Sequence, residues 1–172
     1  KLIDYYRKKQ PKQEITKYFS MRPEKSGSVK VKDMTGILVR FAGCCNPVPG
    51  DAIIGFISRG HGVTVHRKDC PNLKNAEPER LIEVSWLDKA SSVYNAGIKV
   101  IGNTQAQVLT EVAAAVAELK LDIVSTNGRT DNKTGQVIVD FNIRLNGKDE
   151  LDRLIAKLSA NPKITDVFRT AN

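Results

Sequence analysis

Apolar positions follow two different rhythms along this chain. From residue 96 onward the period alternates between two and 3.6. Residues 96–101, 121–126, 136–145 and 164–168 read as strands. The third places Val137, Val139, Phe141, Ile143 and Leu145 on one face, which is therefore expected to be buried. Between the strands, Val108, Leu109, Val112, Val116 and Leu119 form one helical stripe, and Leu151, Leu154, Ile155 and Leu158 form another. The order βαββαβ predicts a ferredoxin-like split motif, with two helices on one face of a four-stranded antiparallel sheet. The other face is left to water or a partner. Thr104 and Gln107 match a capping box at the start of the first helix, and Asn161-Pro162 closes the second.

Upstream the segments are shorter and Gly and Pro divide them. Residues 37–41, 52–57, 63–66 and 81–86 read as strands, separated by turns at 43–51 and 58–62. Asp69 is placed to cap a short helix through Leu73. Residues 28–88 are thus expected to form a small, mostly β domain, and residues 91–172 the ferredoxin-like one, an α+β chain in all. Residues 1–27, interrupted by Pro11 and rich in breakers from Met21 on, read as a helical remnant and a basic linker. A chain that starts mid-helix without methionine reads as a fragment of something larger.

Charge sharpens this division. Of the formal net charge of +8, residues 1–30 carry nine Lys/Arg against three Asp/Glu, residues 31–90 eight against seven, and residues 91–172 ten against nine. The basicity belongs to the first thirty residues, which fit either an arm drawn to polyanions or a solvated linker. No apolar run approaches the roughly 20 residues that span a bilayer, and the start lacks a signal peptide's apolar middle. Three cysteines, two of them adjacent, are too few and too odd for a secreted disulfide scaffold, so a reducing cytoplasm is expected.

The sharpest chemical constellation is Cys44-Cys45, followed after two strands by His66 and Cys70. A tight turn and a strand end can bring these four together as a Cys/His set suited to zinc. The same residues also fit small apolar side chains of a turn, or a vicinal redox pair. Arg59 and His61 lie in a Gly-flanked loop, and with Arg67 and Lys68 they offer a positive patch for phosphates. The chain shows no phosphate-binding Gly loop, nucleophile elbow or His-Glu-x-x-His, and no paired carboxylates for acid/base work. A regulatory or binding role, not an enzyme, is expected of it.

The run Arg40-Phe41-Ala42-Gly43-Cys44-Cys45-Asn46-Pro47-Val48-Pro49-Gly50-Asp51, with Ile54-Gly55-Phe56-Ile57, Gly60-His61-Gly62-Val63-Thr64-Val65-His66-Arg67 and Asp69-Cys70-Pro71-Asn72-Leu73, resembles one family. It is similar to the C-terminal regulatory region of long RelA/SpoT proteins, the bifunctional (p)ppGpp synthetase/hydrolases of the bacterial stringent response. The resemblance implies a zinc-finger-like (ribosome-intersubunit) domain followed by a terminal ACT domain, without the catalytic domains.

It places the family's ligand positions on Cys44, Cys45, His66 and Cys70, with zinc as the metal. It implies docking on large-subunit ribosomal RNA and deacylated tRNA, with Arg59, His61, Arg67 and Lys68 facing RNA, and a signal passed to the protein's own catalytic domains. ACT domains also pair as homodimers, and some sense amino acids at the turn before the first helix, here Asn103, Thr104 and Gln107. That turn commonly carries Gly where this chain has Gln107, which speaks against an amino acid there. An amino-acid-sensing dimerisation module is the alternative function.

Overall fold

The computed structural model describes residues 28–87 and 93–170; the helical remnant and basic linker expected over 1–27 lie outside the described residues. The chain divides into two compact units, the first ending before residue 91 and the second following it, with residues 48–50 grouped with the second.

In the first unit a four-stranded sheet has the order β2-β4-β3-β5, from β2 (Val39–Phe41), β3 (Ile53–Ser58), β4 (Gly62–Arg67) and β5 (Leu81–Ile82). β3 and β4 form an antiparallel hairpin, while β2 runs parallel to β4. A separate ribbon pairs β1 (Val29–Val31) with β6 (Val84–Trp86). Val31, Ile53, Ile57, Val63, Val65, Ile82 and Val84 are buried together in the core of this unit.

The single strand expected over 81–86 is in fact two, which belong to different sheets. The chain passes from β5 to β6 through Glu83, keeping Ile82 and Val84 both buried. Gly55 makes room for this crossing, because a Cβ there would stand 2.7 Å from both Ile82 and Val63 and 2.9 Å from Val84. The helix expected to be capped by Asp69 is also different. Only a one-turn 3-10 segment forms, Pro71–Leu73, with no side-chain cap, and the Asp69 carboxylate accepts two bonds from Arg67 instead.

The second unit is the expected α+β arrangement: β7 (Tyr94–Gly102), α1 (Gln105–Glu118), β8 (Asp122–Thr130), β9 (Val137–Leu145), α2 (Lys148–Ser159) and β10 (Ile164–Arg169), with sheet order β10-β7-β9-β8, all antiparallel. The inward face of β9 carries the five predicted apolar residues, all buried. Val108, Val112, Ala115 and Val116 of α1 and Leu151, Leu154 and Leu158 of α2 pack inward. The Thr104 hydroxyl accepts the Gln107 N–H at 3.3 Å, which caps α1.

β8 runs four residues beyond its predicted end, through Asn127-Gly128, a pair that ordinarily signals a turn. Pairing with β9 continues to Thr130, and the Gln105 carboxamide lies where a side chain on Gly128 would stand, its Nε2 2.9 Å from the Cβ position.

Leu154 has no exposed surface and sits in the middle of the inward face of α2. Leu154→Ala is expected to destabilise the second unit by about 2–5 kcal/mol, read by urea denaturation. A loss within the scatter of surface substitutions would contradict this packing.

Candidate metal centre

Two short β segments bring the cysteines to the histidine. After β2, the Ala42 N–H donates to the Val65 carbonyl at 2.9 Å, and the Asn46 N–H to the Ala42 carbonyl at 2.9 Å, so the chain coils tightly through Cys44 and Cys45 beside the end of β4. Alternation along β4 sends Val63 and Val65 into the core and leaves His66 on the opposite face. The Cys70 N–H then donates to the Arg67 carbonyl at 3.1 Å, turning the third thiol back toward the first two.

The ligand atoms of Cys44, Cys45, His66 and Cys70 all lie within 4.8 Å of one another. His66 Nδ1 is 3.4 Å from Cys44 Sγ and 3.8 Å from Cys45 Sγ, and the Cys44 and Cys70 sulfurs are 3.6 Å apart. A tetrahedral zinc with bonds near 2.3 Å to sulfur and 2.0–2.1 Å to nitrogen needs ligand atoms roughly 3.5–3.8 Å apart. Three of the six separations, 3.4, 3.6 and 3.8 Å, lie at or within about 0.1 Å of such edges, and the donor set is chemically that of a zinc site. With four protein ligands no position is left for substrate, which makes the set structural in kind rather than catalytic.

Burial also shifts the protonation of two of the four groups. Burial pushes the Cys45 thiol up to about 12; the Arg67 backbone N–H, 3.4 Å from its sulfur, pulls the other way, and Cys44 and Cys70 add to the rise. Burial also lowers the His66 pKa, holding the imidazole neutral, which is the form that ligates. Cys45 and Cys70 are buried and Cys44 and His66 half-buried, and a cation bound among them would stabilise the thiolate form that ligates.

The four expected RNA-facing residues are not brought together. Arg59 and His61 are exposed in the β3–β4 turn, where the His61 N–H donates to the Ser58 carbonyl. Arg67 and Lys68 lie at the other end of β4, roughly 17 Å away at the usual rise per residue. Lys68 is exposed, but the Arg67 side chain is only 13% exposed and its guanidinium is paired with Asp69. In the second unit, Asn103 and Thr104 are exposed in the turn before α1; the Thr104 hydroxyl holds the Gln107 N–H, and Gln105 covers Gly128.

A feature absent from the sequence reading adjoins the metal centre. Phe56 stands beside Thr64 in register, on the same outer face of the β3–β4 hairpin as His66. Residues 71–80 cross this face and enclose a cleft of about 300 Å³, walled by Phe56, His66, Asn72, Asn75, Glu77 and Arg80. Its only signals in the sequence are two prolines that start one-turn segments, Pro71 and Pro78, opposite an aromatic on the outward parity of β3.

A thiol–imidazole cluster in a small β unit, followed by a βαββαβ unit, defines a protein of two modules. Comparison with known proteins agrees: residues 29–87 match the family model described as the RelA/SpoT RIS domain, and residues 90–169 match the ACT domain. The chain is 30% identical over 151 residues to the GTP pyrophosphokinase of Escherichia coli (strain K12), covering 86% of this chain and 20% of that protein.

It is 35% identical over 146 residues to the bifunctional (p)ppGpp synthase/hydrolase RelA of Mycobacterium tuberculosis, covering 84% of this chain and 20% of the relative. The crystal structure of the ACT domain from the GTP pyrophosphokinase of Chlorobium tepidum aligns over 45% of this chain and 99% of its own, at 19% identity and a TM-score of 0.38. The chain belongs to the RelA/SpoT family, within which it comprises a RIS domain and an ACT domain. It spans about 20% of the length of the curated relatives it matches. Among the described residues no helix is long and apolar enough to cross a membrane.

Zinc uptake must displace protons, since Cys45 holds its own at neutral pH in the metal-free chain. Affinity for zinc is therefore expected to rise with pH across the neutral range, measured by competition with a chromophoric chelator. Cys44→Ser and His66→Ala should each lower the stoichiometry from one zinc per chain toward none. Retention of full stoichiometry in both variants would contradict the site.

Proposed function

We propose that this chain is the non-catalytic regulatory module of a stringent-response (p)ppGpp synthetase/hydrolase, acting in the cytoplasm. It docks on large-subunit ribosomal RNA and deacylated tRNA and biases the protein's own N-terminal catalytic domains between synthesis and hydrolysis. The observation that carries this reading is that RIS and ACT matches succeed one another from residue 29 to residue 169. The relatives so matched include GTP pyrophosphokinases and a bifunctional synthase/hydrolase, of which this chain covers a small part.

In this reading zinc at Cys44, Cys45, His66 and Cys70 is structural. It ties the turn after β2 to the end of β4 and so gives the exposed groups of the small unit a rigid base. Arg59 and His61 at the hairpin turn and Lys68 beyond β4 make separate phosphate contacts, spaced by the length of one strand. Arg67 contributes through its Asp69 pair and its backbone bond to Cys45 rather than as a free cation. The ACT unit serves packing or self-association, because the turn at Asn103, Thr104 and Gln107 completes its own helix cap.

Cosedimentation of the chain with purified large ribosomal subunits tests this. Affinity is expected to fall steeply as salt rises, and Arg59→Ala or Lys68→Ala should each reduce the log–log salt slope by about 0.7–0.9. Chelation of the metal should weaken binding further. Failure to cosediment at low salt would overturn the docking reading.

A further inference from the structure

We propose that the cleft beside the metal centre, walled by Phe56, His66, Asn72, Asn75, Glu77 and Arg80, is a pocket for a single unpaired nucleobase of RNA. This deepens the docking reading and rests on it for the RNA, but the pocket itself stands on its own geometry.

The first observation is a preformed stacking surface. The Arg80 guanidinium lies 4.3 Å over the Phe56 ring centroid, held there because its Nε–H donates to the Ile57 carbonyl at 2.9 Å and the Glu77 carboxylate stands 3.8 Å from its Nη1. The guanidinium carbon stands over the face of the aromatic ring, and Arg80 forms a wall of the cleft. Guanidinium planes and aromatic rings are the surfaces on which unstacked bases settle. A guanidinium fixed by three contacts has already lost the freedom that binding would otherwise take from it.

Hydrogen-bonding groups of both senses surround that surface. Asn72 and Asn75 each carry an amide with donors and an acceptor; both residues are exposed, and neither side chain is hydrogen-bonded within the described residues. Glu77 adds an acceptor. Base edges present donors and acceptors side by side, and amides and carboxylates read them.

The same carboxylate argues against a phosphate as the occupant, since it would set a second anion beside the first. Leu73 and Ala76 complete the lining, and a purely apolar ligand would leave the two amides facing it without partners. The volume, about 300 Å³, lies at the lower end of small-molecule sites and admits one heterocycle rather than a duplex. Lys74, exposed between the two asparagines in sequence, puts a cation on the rim segment for the backbone of the same nucleotide.

The cleft and the metal centre share one ring. His66 turns Nδ1 to the thiols and forms a wall of the cleft, so ligation at Nδ1 holds that wall in place. The adjacent segment is anchored at Cys70, a ligand position immediately before Pro71.

The test is an NMR titration of the full zinc-loaded chain with AMP, GMP, CMP and UMP, with ribose 5-phosphate as the phosphate-only arm. Saturable shifts of the Asn72 and Asn75 side-chain amides are expected with at least one nucleotide at millimolar concentration, and none with ribose 5-phosphate. An RNA hairpin with one bulged base should bind about tenfold tighter than a fully paired hairpin of equal length. Asn72→Ala and Asn75→Ala, both at exposed positions, should abolish that preference, whereas Arg59→Ala should weaken both hairpins alike.

Equal shifts with ribose 5-phosphate, no shifts with any nucleotide, or an undiminished bulge preference in both Asn variants would overturn the pocket. Large-subunit binding that persists beside any of those results sinks the pocket alone. Saturable nucleotide shifts in a chain that does not cosediment sink the docking reading and leave the pocket standing.

Discussion

Sixty residues of short strands must hold a fixed shape around very little core, and in the first unit that burden falls on the meeting of three thiols and one imidazole. Domains of this size bury only about 60% of their chain surface and commonly need a staple. Here the main cluster is built from valines and isoleucines of β1 and β3–β6, with Ile37 from the segment before β2. The second cluster is little more than Ala42, Cys45 and Cys70, with Cys44 and Leu73 beside it. Without the convergence of those side chains, the turn after β2 and the segment after β4 would each be tied down by a few backbone hydrogen bonds.

That convergence is set by strand parity. Val63 and Val65 face the core, and His66, one step beyond, faces away from it. The ring therefore stands between the thiol cluster and the outer cleft. Arg67 extends the arrangement, since its backbone N–H reaches the Cys45 sulfur while its side chain holds Asp69. A single strand end thus serves the core, the ligand set and the wall of the cleft.

The second unit was the more legible of the two. Its alternating periods are long, and both helices carry a clean inward stripe, so pattern alone placed each element and the buried face of β9. Where the reading fell short, the causes were contacts from elsewhere in the chain. Asn127-Gly128 stayed in β8 because β9 offers partners that far and Gln105 occupies the space above the glycine. In the small unit, residues 81–86 gave no local sign of changing sheets at Glu83, because Ile82 and Val84 have the parity of one continuous strand.

The chain alone settled the residue types available for chemistry. Two adjacent cysteines, a histidine and a third cysteine can form a ligand set whatever surrounds them, and the strand and helix periods follow from side-chain geometry within a few residues. Only the tertiary structure decided which groups act together. It drew the four ligand atoms within 4.8 Å of one another, separated Arg59 and His61 from Lys68 by the length of β4, and engaged Arg67 with Asp69. It also set the Arg80 guanidinium over the Phe56 ring and formed a cleft among residues that share no motif. Periodicity is a property of neighbours along the chain, whereas a cleft, a ligand tetrahedron and an ion pair depend on distances that close only when distant segments meet.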